Sequence, residues 1–403
     1  MSGRGDVYRF EPPRFFRGLA SLYQEIQATL NAREAPSFSG LRQCIPTLVA
    51  GDPVFAHDLY RGRLKPTHRL LERDLRRLLS PPANPKVSDA LASLSWLPHL
   101  AAADLSLYRG FSRNLYRLCA QQRGLSADIL CRRLIVLSRH ADFLLTGAPA
   151  NFARELFRAV SRETRAVKAA RTRTAPEELR QALALLAVSL AFKGAEDLRI
   201  MALDRAAAAL PQVIMADGGH VSRNPQMLLE LLLDLIPLHE ALRAYRVAVP
   251  GSLASAIGRA CSMLRMMCHP DGGLALFQGV DNTSEASVQA VLSSDPHRQP
   301  PPRYAKYAGY ARLDRGKSAV IADVGGKGDY RGALSFEFSH GSSRIVTNCG
   351  TPEMASPAWR AAASSAAAHS SLQVHNPDPR KSYFRNRCGR FPSTDSLGAE
   401  VVD

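Results

Sequence analysis

The sequence is poor in aromatic rings, in paired cysteines and in long uncharged runs. Phe, Trp and Tyr make up 7% of its 403 residues against a hydrophobic total of 46%, which describes a globular chain with a large, mostly aliphatic core. The seven cysteines (Cys44, Cys119, Cys131, Cys261, Cys268, Cys349 and Cys388) are odd in number, scattered, and include no CxxC pair. That argues against a disulfide framework and a cysteine-ligated zinc; Cys261 and Cys268, two turns apart on an apolar helix, read as buried thiols. No apolar run of signal-peptide length opens the chain, so as written nothing exports it. The most apolar pattern, LLELLLDLIPLHEAL (228–242), is interrupted by Glu230, Asp234, His239 and Glu240 and reads as a packed helix, not a membrane span. GxxxxGK[ST], GxSxG and HExxH are missing too, which leaves nucleotide hydrolysis, α/β-hydrolase and zincin chemistry without their motifs.

What the sequence has in excess is positive charge. Its 52 Lys and Arg outnumber 36 Asp and Glu, a net of +16, and such a balance favours an acidic partner: a polyanionic saccharide, a nucleic acid or an anionic membrane. Basic stretches such as ETRAVKAARTRT lack interleaved aromatics, so no nucleic acid is expected; a continuous basic stripe on a convex surface would be the sign of one.

From about residue 85 to 268 the apolar positions recur at helical spacing in one segment after another, with almost no strand signals. Gly147, Gly194 and Gly251 fall where helix ends would want positive φ, and Pro149, Pro176 and Pro225 fall at or before helix starts. After a Ser/Pro-rich stretch (281–304) come short alternating runs: YAKYAGYARLDRG, KSAVIADVGG, ALSFEFSHGSSRIVTNCG and HSSLQVHN. The expected plan is α+β and multidomain: an N-terminal extension (1–49), a helical domain (50–285), a linker (286–303) and a short, incomplete antiparallel β domain (304–403). DGGH (217–220) and DGGL (271–274) lie 54 residues apart, about one helical hairpin plus a turn. Stacked hairpins would place both turns on one face, a natural ligand mouth.

Several residues could carry chemistry. His220, Arg223 and Asn224 could face an anion at the positive end of the helix begun by Pro225, or Asn224 could simply cap that helix. Tyr304, Tyr307 and Tyr310 are spaced by three, which no single strand face accommodates, so at least one hydroxyl should point away from a core; Tyr304 or Tyr307 could act as an acid, or the rings could fasten the linker. His369 follows small residues that leave an imidazole accessible. His375 gives it no third ligand, so no metal is expected. Trp359 is a stacking platform for a sugar or an interface anchor.

With those residues in view, the chain resembles the heparinase II/III family of polysaccharide lyases and related bacterial proteins. The likeness runs from AGDPVFAHDLYRGRL (50–64) through LSWLPHL and HADFLLTGA, is densest from DGGHVSRNPQMLLELLLDLIPL (217–238) to DGGLALFQG (271–279), and resumes in YARLDRGKSAVIADVGG and AWRAAASSAAAHSSL. The resemblance implies an incomplete (α/α) toroid followed by an antiparallel β-sandwich, and a carbon-oxygen lyase that cleaves an acidic, uronate-containing polysaccharide by β-elimination without a cofactor. Family lyases commonly work in the periplasm or outside the cell. Their catalytic groups are an Asn-His pair on a toroid helix, a Tyr in the turn after DGGH, and a His opening a β-domain strand. Here His369 matches the last, Met227 stands at the Tyr position, and Arg180 and Gln181 are the polar residues near the Asn-His place. His220 is then a replacement base, with Arg223 and Asn224 on the sugar's carboxylate or sulfate. The alternative is a non-catalytic protein that holds a polyanionic glycan in the same cleft.

Overall fold

A computed structural model describes residues 38–61, 85–281, 283–295, 298–325, 332, 334–351 and 356–371. The helical body comprises α1 (Pro53–Tyr60), α2 (Pro85–Ala92), α3 (Leu97–Ala103), α4 (Ser106–Ala120), α5 (Ala127–Leu145), α6 (Ala150–Ala169), α7 (Ala175–Ala191), α8 (Leu198–Val213), α9 (Pro225–Ala244), α10 (Gly251–Met266) and α11 (Glu285–Ser293). Helix α7 is its axis. Thr174 caps it, Pro176 and Glu177 suit its first turn, and from Leu179 to Ala191 all but Arg180 are buried, because α5 and α8 pack on either side. Among the described residues no helix is long and apolar enough to cross a membrane.

Gly194, with φ of 90°, follows the extended pair Phe192–Lys193 and not a helix end, whereas Gly147 follows the end of α5 with φ of 62°, as its position suggested. Gly251 does the opposite: it opens α10 behind Pro250. Residues 38–49 are also more than an extension. Phe38 stacks on Phe192 at 5.8 Å, and Gly40–Leu41 (β1) pairs with Phe192–Lys193 (β2), so this segment belongs to the helical core. The stretch expected as a linker begins as α11, with Val288 and Val291 buried.

The 54-residue repeat is real in three dimensions. Ile214 bridges His220 and Cys268 bridges Leu274; Gly218 and Gly272 take φ of 92° and 88°. In each turn the aspartate accepts from the amide two residues on, Gly219 to Asp217 at 3.1 Å and Gly273 to Asp271 at 2.8 Å.

Both turns face a five-stranded antiparallel meander, β3 (Tyr304–Ala305), β4 (Tyr310–Arg315), β5 (Ser318–Asp323), β6 (Phe336–His340) and β7 (Ser343–Val346), in sequential order. Register sets Tyr310 beside Asp323, Arg312 beside Ile321, Ile321 beside Glu337 and Ala319 beside Ser339, and these residues form the inner face. The described sheet is a single layer followed by α12 (Pro357–Ala363), with Leu313 and Ile345 exposed. The remainder of the HSSLQVHN run, from Leu372, lies outside the described residues, as does His375.

Candidate functional site

A cavity of about 260 Å³ opens in the helical body. Three helices line it with the same i, i+3, i+4, i+7 quartet: Arg132, Ile135, Val136 and Arg139 of α5; Pro176, Leu179, Arg180 and Leu183 of α7; Met227, Glu230, Leu231 and Asp234 of α9. His220, Val213, Ser93 and Ser95 complete it. Its lining is part aliphatic and part guanidinium and carboxylate. Arg139 pairs with Asp234 at 2.9 Å, while Asp128 holds Arg132 at 3.1 Å and also Arg180. Gln226 donates to Glu230 at 3.1 Å.

His220 sits at the rim of this cavity, 7% exposed. The Ser222 amide donates to its Nδ1 at 3.1 Å and the Ser222 hydroxyl lies 2.7 Å away. An Nδ1 that accepts a backbone N–H carries no proton, so the neutral ring is protonated on Nε2. Burial, reinforced by the Arg180 charge, pushes its pKa down to about 4. The ring is therefore a neutral hydrogen-bond donor at physiological pH. Because the unfolded chain binds this proton near pH 6.5 and the folded one only near 4, stability is full above that window and is lost as pH falls through it, by about 3 kcal/mol. Urea unfolding from pH 7 to 4 should show this loss in the wild type, and His220→Gln should flatten that part of the profile; an unchanged profile would place the His220 pKa elsewhere.

The other residues singled out from the DGGH turn do not meet in the cavity. Arg223, at φ 59°, turns toward the sheet: Nε donates to the Ala308 carbonyl at 2.7 Å, the head group pairs with Asp323, and its Cζ lies 4.9 Å from the Tyr310 ring centroid. Asn224 caps α9, accepting from Gln226 at 2.7 Å and Met227 at 3.2 Å, and its amide donates to the Gln278 carbonyl at 2.9 Å. Of the three tyrosines, Tyr310 is buried and donates to the Arg223 carbonyl at 2.7 Å, while Tyr304 and Tyr307 are exposed. Asp217 accepts the amides of Tyr307 and Ala308, both at 2.7 Å. The turn thus couples the helical body to the sheet, a use of Asp217 and Arg223 that local sequence could not reveal because their partners lie 85 to 100 residues away.

The second turn does the same with other residues. Asp271 pairs with Arg344 at 2.7 Å, and the buried His269 contacts Glu337 at 2.8 Å and Ser339 at 2.9 Å. Glu337 also accepts the amides of Leu276 and Asn348, each at 3.0 Å, so its carboxylate is fully engaged. Only the repeat hinted at this cluster.

His369 follows a short 3₁₀ turn beside the sheet, and its Nδ1 donates to the Ser365 carbonyl at 2.8 Å, which leaves the lone pair on Nε2. It does not line the cavity, nor does Trp359, which is exposed on α12. Arg180 and Met227 do meet there, the two positions at which the resemblance places the lyase groups, whereas Gln181 turns inward to the Ala170 carbonyl at 3.0 Å. Among the described residues no group of three or more His, Cys, Asp or Glu is placed to hold a metal.

A family model described as "Heparinase II/III-like, C-terminal" matches residues 297–400. Among solved structures, the fold is similar to the crystal structure of heparinase III, with a TM-score of 0.55 at 13% identity, covering 69% of this chain and 53% of that one. A heparan sulfate lyase mutant from Pedobacter heparinus gives 0.53 at 14% identity, over 88% of this chain and 65% of that one. The heparinase III product BT4657 gives 0.56 at 14%, over 88% and 67%. These likenesses establish the fold. In sequence, 196 residues are 34% identical to the "FtsZ-localized protein C" of Caulobacter vibrioides, covering 46% of this chain and 34% of that protein. The chain therefore spans about a third of that curated relative and between half and two thirds of the lyase structures.

Proposed function

We propose that this chain, with the fold of an incomplete toroid and an antiparallel sheet and a heparinase II/III-like C-terminal match over residues 297–400, holds a saccharide chain in the toroid cavity without cleaving it. The observation that carries this reading is the His220 ring, which lines the cavity together with Arg180 and Met227: its Nδ1 accepts the Ser222 amide, so its other nitrogen holds a proton and not a lone pair. Elimination needs a base at the sugar carbon, an acid at the leaving oxygen and a neutralised carboxylate. Met227 offers no proton-transfer group, and Arg223 and Asn224 are engaged in joining the helical body to the sheet and capping α9. What the cavity does offer is hydrogen bonding. Guanidinium donors, the carboxylate acceptors Glu230 and Asp234 and aliphatic side chains line it together, the mixture that hydroxyl-rich ligands need.

One observation favours the lyase reading. The tautomer of His369, with its proton on Nδ1 and its lone pair on Nε2, suits a base, should substrate bring it to the reacting carbon. Incubation of the purified chain with heparin, heparan, chondroitin, hyaluronan, alginate and an uncharged chitooligosaccharide separates the two. The expected result is no rise in the ultraviolet absorbance of an unsaturated uronate, with calorimetric binding to at least one oligomer that weakens about tenfold or more in Arg180→Gln, as loss of a charged hydrogen bond implies. An absorbance rise abolished by His369→Ala would establish the lyase instead. The kinship with an FtsZ-localized protein also supports a division-site location for this chain, which a fluorescent fusion imaged together with FtsZ would test.

A further inference from the structure

Helix α6 contributes nothing to the cavity; its apolar face packs on α5 and α7, and its other face looks outward. That outward face carries Arg154, Arg158, Arg162 and Lys168, all exposed, with Arg165 half-buried beside them and Arg171 and Arg173 exposed just beyond the helix. Arg154, Arg158 and Arg162 follow one another at a spacing of four residues, about 6 Å apart, and the row continues past Arg165 to Lys168, roughly 21 Å in all. Arg154, Arg158, Arg162 and Lys168 pair with no carboxylate among the described residues. Of the two glutamates on α6, Glu163 is buried on Arg133 at 2.8 Å, and Glu155 is held by Arg117 at 2.9 Å.

The row is single file. On the flanking α4, Arg109 is neutralised by Asp104, Arg117 by Glu155, and Arg113 donates to the Leu144 carbonyl at 2.9 Å. No large hydrophobic side chain is exposed on α6. A membrane surface would favour a broad patch with an apolar wedge, a duplex would offer a second phosphate row with nothing to meet it, and a single nucleic-acid strand would want aromatic rings for its bases. A stiff linear chain with an anionic group on successive sugars needs only the charges, and loses little conformational freedom on a rigid helix.

We propose that the outer face of α6 is a glycan-binding site, separate from the cavity, that holds a linear carboxylated or sulfated saccharide chain by its charges alone. Arg154, Arg158 and Arg162 supply forked donors to the sulfates or carboxylates, and Lys168 extends the row toward Arg171 and Arg173. The site does not depend on what the cavity binds.

The test uses the full chain and fluorescently labelled heparin, chondroitin sulfate and hyaluronan oligosaccharides, titrated by anisotropy at stepped salt. The triple variant Arg154→Gln, Arg158→Gln, Arg162→Gln changes only exposed side chains, and its thermal midpoint should match the wild type. It is expected to bind the preferred glycan at least tenfold more weakly, with the slope of log affinity against log salt reduced by about two, at roughly 0.7 for each arginine removed. A charge-matched control, Arg123→Gln, Arg303→Gln, Lys317→Gln, should retain both affinity and slope. The proposal is overturned if the α6 variant binds glycan like the wild type, or if labelled single-stranded DNA, duplex DNA or anionic vesicles bind this face more tightly than any glycan.

Discussion

Arg223→Met is expected to destabilise the protein by about 3–5 kcal/mol, the cost of leaving a buried carboxylate without its counter-charge. Asp323 is 1% exposed and Arg223 only 10%, so neither can turn to water when its partner is lost. The substitution keeps the volume and the backbone, so it isolates the head group. It removes the ion pair, the bond to the Ala308 carbonyl and the cation over the Tyr310 ring, while Asp323 keeps only Gln278 at 3.0 Å and the Gly325 amide at 3.1 Å. Adding Asp323→Asn should recover a good part of the loss, because the stranded charge is then gone. Urea unfolding, with limited proteolysis between helical body and sheet as a second readout, measures both. If Arg223→Met instead unfolds like the wild type and loses only saccharide binding, Arg223 is the ligand group that its place beside His220 in the sequence suggested.

The second large effect compares two glycines related by the repeat. Both Gly218 and Gly272 hold φ near 90°, where an alanine is strained. At Gly272 the new methyl would meet only the Gln289 side chain, 3.4 Å away, so Gly272→Ala should cost about 1–2 kcal/mol. At Gly218 the methyl would fall inside the backbone carbonyl of Arg259 in α10, which cannot move without breaking the packing of α10. Gly218→Ala should therefore cost more than about 4 kcal/mol and prevent stable folding, visible as insoluble expression or a collapsed thermal midpoint. Equal effects at the two sites would mean that φ strain alone governs both turns, and that the first is no more tightly docked than the second.

How far these sites could be read from the sequence depends on the range of the interactions involved. The helices of the toroid, the capping of α9 by Asn224 and the repeat itself are local, set by residues within a turn or two, and were legible. The cavity was half legible. Glu230 and Asp234 were visible as interruptions of an apolar pattern, but their meaning came only when α5, α7 and α9 each brought a quartet to the same space. Nothing near Arg132 or Arg139 in the chain marks them as facing His220.

The composition and apolar spacing by themselves determined that this protein is an aliphatic helical body followed by a short antiparallel sheet, because burial of periodic apolar side chains is enforced residue by residue along the chain. The tertiary structure alone decided the roles of the polar residues. Arg223 could have met a sugar or an aspartate with the same chemistry, and the approach of Asp323, 100 residues later, chose the aspartate. His220 could have been a base or a donor, and the Ser222 amide together with burial fixed the proton on Nε2. Polar side chains take their function from whichever partner the fold brings within about 3 Å, and that partner is written elsewhere in the chain.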